Sequence, residues 1–151
     1  MPTPSIPTSA SSLPGNAPTE AKQTVLDLMQ LFFGHGASYT AGFALPVARR
    51  LAVAEVGRRA KADAAREEWV VVMELDVDED MLNGGGSMHG GCTAFLIDIC
   101  TSIVLGAAGR GGTVSQAINT VYHAPAPAGC HLRIVNTTMT VGARISSARC
   151  E

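Results

Sequence analysis

Between Asn83 and Ser102 the chain reads Asn-Gly-Gly-Gly-Ser-Met-His-Gly-Gly-Cys-Thr-Ala-Phe-Leu-Ile-Asp-Ile-Cys-Thr-Ser. Two features of this stretch could do chemistry. Gly90 and Gly91 fall where a helix begins, so their backbone N–H groups are left bare. With the helix dipole, such amides can hold a developing negative charge. About two turns further on stands Asp98, with no Lys, Arg or His within four residues on either side. A buried, unpaired carboxylate is costly, and perturbed acids of that kind cluster where a reaction needs them. Amides that stabilise an oxyanion, followed by a carboxylate, are suited to attack on a carbonyl. Each feature also has an ordinary reading: a flexible glycine loop, and an aspartate on a narrow solvent-facing stripe.

The elements that must position these groups follow from periodicity. From about Gly90 to Ala108 a helix is predicted whose residues are apolar on nearly every face: Cys92, Ala94, Phe95, Leu96, Ile97, Ile99, Cys100, Ile103, Val104 and Leu105. Such a helix is expected to be buried. It spans about 27 Å at about 1.5 Å per residue, the width of a small domain. Its length and glycine flanks fit a membrane span poorly. Trp69 to Val77 alternates, with Val71, Met73, Leu75 and Val77 on one side, as a half-buried strand does. Gly109 to Gly112 reads as a turn. Thr113–Tyr122, Cys130–Val141 and Ala143–Glu151 read as further strands, with a proline-rich turn from His123 to Gly129. Upstream, Thr19 is placed to cap a helix from Glu20 to Phe33, ended by Gly34. His35 reads as a turn residue. Gly42 to Val56 is open between a helix, by its alanine content, and a first strand with Pro46 near its edge, and Gly57 to Glu68 reads as a charged, solvated link. The class is α+β: a curved antiparallel sheet wrapped around one long central helix.

Composition narrows the function classes. At 151 residues the chain is one domain by length. Residues 1–18, rich in Pro, Ser and Thr, are expected to be a disordered tail, leaving 19–151 as the domain. A hydrophobic content of 46% allows a full core, and a net charge of −2 gives no pull toward nucleic acid or anionic membrane. Cys92, Cys100, Cys130 and Cys150 show no CxxC or zinc-ligand spacing. The four histidines, His35, His89, His123 and His131, are too scattered for a metal site. No secretory signal is visible. The expected compartment is the reducing cytoplasm, with the mitochondrion as the alternative.

His89-Gly90-Gly91 followed by Asp98 resembles the hot-dog fold acyl-CoA thioesterases, in the branch of the phenylacetic-acid-pathway thioesterase and the thioesterase superfamily member 2 proteins. Val114-Ser115 through Asn119, Tyr122, Pro125 and Gly129 is similar to that branch's third strand and following turn. The likeness runs from about Trp69 to Glu151. It implies hydrolysis of a medium-chain, long-chain or aryl acyl-CoA in a site shared by two subunits that pair through their sheets, as a homodimer or a dimer of dimers. The Gly90 N–H would polarise the thioester carbonyl, with Asn83 orienting nearby. Asp98 of the opposite subunit would act as general base or nucleophile, and Ser115 would position water. His89 would hold the loop or bond the thioester. Tyr122, Pro125, Thr140, Gly142 and Arg144 match the family's coenzyme contacts, with Arg133 and Arg144 in place of its usual lysines. The acyl group would lie between the central and N-terminal helices. No cofactor or metal is implied, since coenzyme A is part of the substrate. The resemblance also implies a last strand beyond Glu151, so the domain is expected to be C-terminally truncated. Two other functions fit the same fold: a non-catalytic acyl-CoA or partner-binding module, and an enoyl hydratase or dehydratase.

Overall fold

The computed structural model of the protein describes residues 9–34, 42–61 and 66–151. The first eight residues, His35 and residues 62–65 of the charged link lie outside that set. In chain order the elements are α1 (Thr19–Phe33), α2 (Leu45–Ala48), β1 (Ala52–Ala60), β2 (Glu67–Asp76), α3 (Gly90–Ala107), β3 (His131–Val141) and β4 (Ser146–Cys150). The four strands form one antiparallel sheet in the order β1-β2-β3-β4. The helix α3 packs against β2, β3 and β4 on one side and α1 on another.

The alternation of β2 does what its pattern dictates. Val71, Met73 and Leu75 are buried and join Leu96, Cys100, Ile103 and Val104 of α3 in one core with Val25, Met29 and Phe33 of α1. On the other face, Val70 and Val72 are covered too, bordered by the long side chains of Glu55, Arg58, Arg59 and Arg133. Cross-strand pairs Arg58–Glu67 and Arg59–Glu68 extend the β1–β2 hairpin into what the charges suggested was loop. The close approach of α1 to α3 depends on Gly106, where an added Cβ would collide with the Leu28 side chain.

Four expectations need correction. Pro18, not Thr19, is the N-cap of α1, and it makes no side-chain cap bond. Pro46 sits in the first turn of α2, where its missing N–H costs nothing, and the strand begins only at Ala52. Residues 9–18 are ordered, because they lie along the free edge of β1. The Val56 N–H donates to the Pro14 carbonyl at 3.0 Å, and the Ala17 N–H to the Val56 carbonyl at 3.2 Å. The Asn16 side chain bonds both backbone groups of Arg58, and the Lys22 ammonium donates to the carbonyls of Leu13 and Gly15. A strand edge so covered is protected from other chains.

The fourth concerns Thr113–Tyr122, which is not a strand of the sheet. Among the described residues, no backbone–backbone hydrogen bond involves any position from 111 to 125. The run lies beside α3, and with α3 and β4 it encloses an open cleft of about 1490 Å³. By length and composition alone α3 could cross a membrane, but here it packs between α1 and the sheet.

Candidate active site

The site is assembled at the start and along the open side of α3. His89 is its N-cap, and the His89 Nδ1 accepts from the Gly91 N–H at 2.9 Å. The N–H groups of Cys92 and Thr93 donate to the His89 carbonyl at 2.8 and 3.1 Å. The Gly90 N–H, among the described residues, has no acceptor. One amide at the positive end of the helix is thus left to bond something else. The entry to the helix is fixed by two backbone bonds, His89 N–H to the Met81 carbonyl at 2.7 Å and Met88 N–H to the Ala126 carbonyl at 2.8 Å. Asn83 is exposed, and its side-chain oxygen accepts from the N–H groups of Gly85 and Ser87 within its own loop.

Asp98 lies on the open side of α3 and is half-buried. The Ser115 hydroxyl donates a short hydrogen bond to its Oδ1. The nearby hydroxyls of Thr101 and Ser102 are engaged with helix carbonyls, at 2.7 Å to Ile97 and 2.8 Å to Asp98. They therefore do not compete for the carboxylate, and Oδ2 carries no hydrogen bond among the described residues. A carboxylate with one oxygen anchored and one open can accept a proton from a bound water.

The matched coenzyme positions fall into two groups. Tyr122 and Pro125 are at the α3 entry, where Tyr122 Oη donates to the Gly90 carbonyl at 2.9 Å. Thr140, Gly142 and Arg144 are at the far end of β3, where Thr140 pairs with Ser147. There the Gly142 N–H donates to Ser146 Oγ, and an added Cβ at 142 would collide with the Ile145 carbonyl oxygen. The first group precedes β3 in the chain and the second lies at and beyond its end. Arg144 lines the cleft together with Arg110, Arg133, Arg149 and His123. Arg133 is also paired with Glu74 at 3.0 Å on the outer face of the sheet. Of the remaining histidines, His131 is bound to Asp76 at 2.6 Å. Leu28 fills the space over Gly106 between α1 and α3, so the open volume lies on the opposite flank of α3 from the expected acyl pocket.

Residues 85–151 match the family model of the thioesterase superfamily. The fold is the hot-dog fold of the thioesterases. The chain is 26% identical to zebra fish thioesterase superfamily member 2, over 85% of this chain and 82% of that one, with a TM-score of 0.64. Thioesterase superfamily member 2 from Mus musculus gives 23% identity over 83% and 79%, TM-score 0.60. A phenylacetic acid degradation-related protein from Ralstonia eutropha gives 17% over 80% and 83%, TM-score 0.54. No curated protein matches the sequence. The matched segment holds Gly90, Asp98, Ser115 and Tyr122, while Asn83 lies just before it. The bond from Tyr122 to Gly90 has no signal in the sequence, since a hydroxyl on a backbone carbonyl 32 positions away leaves no motif.

Proposed function

We propose that the protein is an acyl-CoA thioesterase, releasing free acid and coenzyme A from a medium-chain, long-chain or aryl acyl-CoA. The observation that carries this reading is the Asp98 carboxylate, anchored by Ser115 on a helix whose first amide has no partner among the described residues. Asp98 takes a proton from water through its open oxygen, and the water attacks the thioester carbon. The oxyanion is held by the Gly90 N–H. The C–S bond then breaks, and the thiolate leaves with the proton that Asp98 received. A thioester is reactive enough that one base and one or two donors suffice. The edge-to-face pair of Phe43 and Phe95, with ring centroids 5.4 Å apart beside the first turns of α3, supports an apolar acyl group.

Helix geometry supports a shared site. Gly90 and Asp98 are eight positions apart, or about 12 Å along the axis at about 1.5 Å per residue. One thioester carbon cannot meet both from the same helix. The reading therefore pairs the Gly90 of one copy with the Asp98 of a second. The exposed apolar side chains of Val114, Ile118 and Val121, on a run with no backbone partner among the described residues, support a neighbouring copy there.

The test is free-thiol release from octanoyl-, palmitoyl- and phenylacetyl-CoA. Asp98→Ala is expected to lower the rate on accepted substrates by about 10²- to 10⁴-fold while the far-ultraviolet circular dichroism stays unchanged. A variant as fast as the parent would remove Asp98 from the mechanism, and absence of hydrolysis by the parent would remove the function.

A further inference from the structure

One peptide group at the start of α3 is gripped from both sides. It joins Gly90 to Gly91. Its N–H donates to His89 Nδ1 at 2.9 Å, and its carbonyl accepts from Tyr122 Oη at 2.9 Å. The carbonyl already faces along the helix toward its own intrahelical partner, so the tyrosine uses the second lone pair. The ring of Tyr122 also lies over Gly90: a Cβ added there would stand 3.3 Å from Oη and 3.4 Å from Cζ. Glycine at 90 thus lets the tyrosine reach the backbone. The gripped peptide directly follows the Gly90 N–H, which has no acceptor among the described residues. Fixing its plane fixes the first turn from which that N–H points.

The same run of chain reaches the other chemical group. Ser115 bonds Asp98 and Tyr122 bonds Gly90. The earlier residue meets the later helix position, so residues 115–122 run antiparallel to α3 and are tied to it at two points. Both ties are made by side chains, because the run has no backbone–backbone bonds among the described residues.

We infer that Tyr122 is a positioning residue, which holds the helix entry so that the Gly90 amide is aimed at the thioester carbonyl. This rests on the thioesterase reading above and differs from the coenzyme contact that the resemblance assigns to Tyr122. Tyr122 touches no reacting atom in this role. It acts through the Gly90–Gly91 peptide.

The discriminating experiment compares Tyr122→Phe with the parent on two thioesters of the same acyl group, one on coenzyme A and one on N-acetylcysteamine, which has no nucleotide. The expected result is a fall in kcat of about tenfold, the worth of one hydrogen bond, equal for both thioesters, with KM within about twofold. A raised KM confined to the coenzyme A substrate would overturn the inference and make Tyr122 a coenzyme contact. An unchanged kcat would overturn it too. Amide exchange gives a readout independent of turnover. In Tyr122→Phe the Gly91 amide, held by His89, is expected to exchange about tenfold faster, with the amides of Ile103 and Val104 unaffected. Unchanged Gly91 exchange would mean the hydroxyl does not hold the turn. If the parent hydrolyses neither thioester, the thioesterase reading falls and the exchange result alone decides the clamp.

Discussion

The two sides of α3 do different work with residues only one position apart. On one side Leu96, Cys100, Ile103, Val104 and Ala107 are buried, at spacings that keep them on a single stripe against β2, β3 and α1. On the other, Thr93, Ile97, Asp98, Thr101, Ser102 and Leu105 border the cleft. The packed side is continuous with the sheet's inner face, where the buried Asn136 side chain donates to the Val71 and Ile134 carbonyls. The open side carries hydroxyls that bond back to the helix and one carboxylate held by Ser115. Stability and chemistry are thus separable on one rod, and substitution on either side should report on only one of them.

The largest effect on stability is expected from the packed side. Ile103→Ala removes a fully buried side chain from the centre of the core and should cost about 2–5 kcal/mol in urea unfolding. By the same measurement Asp98→Ala should change stability by less than about 1 kcal/mol. Equal costs for the two would dissolve the contrast.

A second measurement uses as reporters two cysteines of the same helix, Cys92 and Cys100, and one of β4, Cys150. Burial pushes the Cys100 thiol far up, and burial followed by the nearby Glu151 charge pushes Cys150, on β4, up to about 11. Cys92, in the first turn, is raised by partial burial and then by the charge of Asp80. Thiolate is the reacting form. At pH 8 Cys150 should therefore be alkylated by iodoacetamide roughly 100-fold more slowly than a thiol of ordinary value 9.0. Cys100 should remain unmodified while Cys92 reacts, as mass spectrometry of digests would show. Raising the pH toward 11 should speed Cys150 in proportion to its thiolate. Cys100 reacting as fast as Cys92 would mean that the stripe is not packed as described.

What was legible in the sequence was what local pattern controls. The period of two in β2 and the long apolar run of α3 each specify their element without help from distant residues, and Asp98 stands out because it interrupts such a run. What was not legible depends on partners far along the chain. Composition points to disorder for residues 9–18, yet Asn16 finds both backbone groups of Arg58, 42 positions away. Thr113–Tyr122 has the apolar content of a strand, but ladder formation depends on a neighbouring edge, which no local pattern reveals. Pro46 reads equally well at a strand edge and in a helix's first turn. The place of Ser115 came through family resemblance, since its distance from Asp98 is set by how the chain folds back along α3.

The smallest effect tests the open side at its finest grain. Ser115 is exposed, and its hydroxyl contributes one charge-assisted hydrogen bond to a carboxylate that is only half-buried. Solvent can replace part of that bond, so Ser115→Ala should lower kcat by about tenfold, well short of the loss from Asp98→Ala. Urea stability should be unaffected, because no packed atom is removed. Ser115→Thr keeps the hydroxyl and should recover most of the rate, which separates the hydrogen bond from mere occupancy of the position. If instead Ser115→Ala were as damaging as Asp98→Ala, the hydroxyl would be acting directly on water or substrate rather than holding the carboxylate. The open side would then carry two reacting groups, and the short bond between them would be the centre of the site.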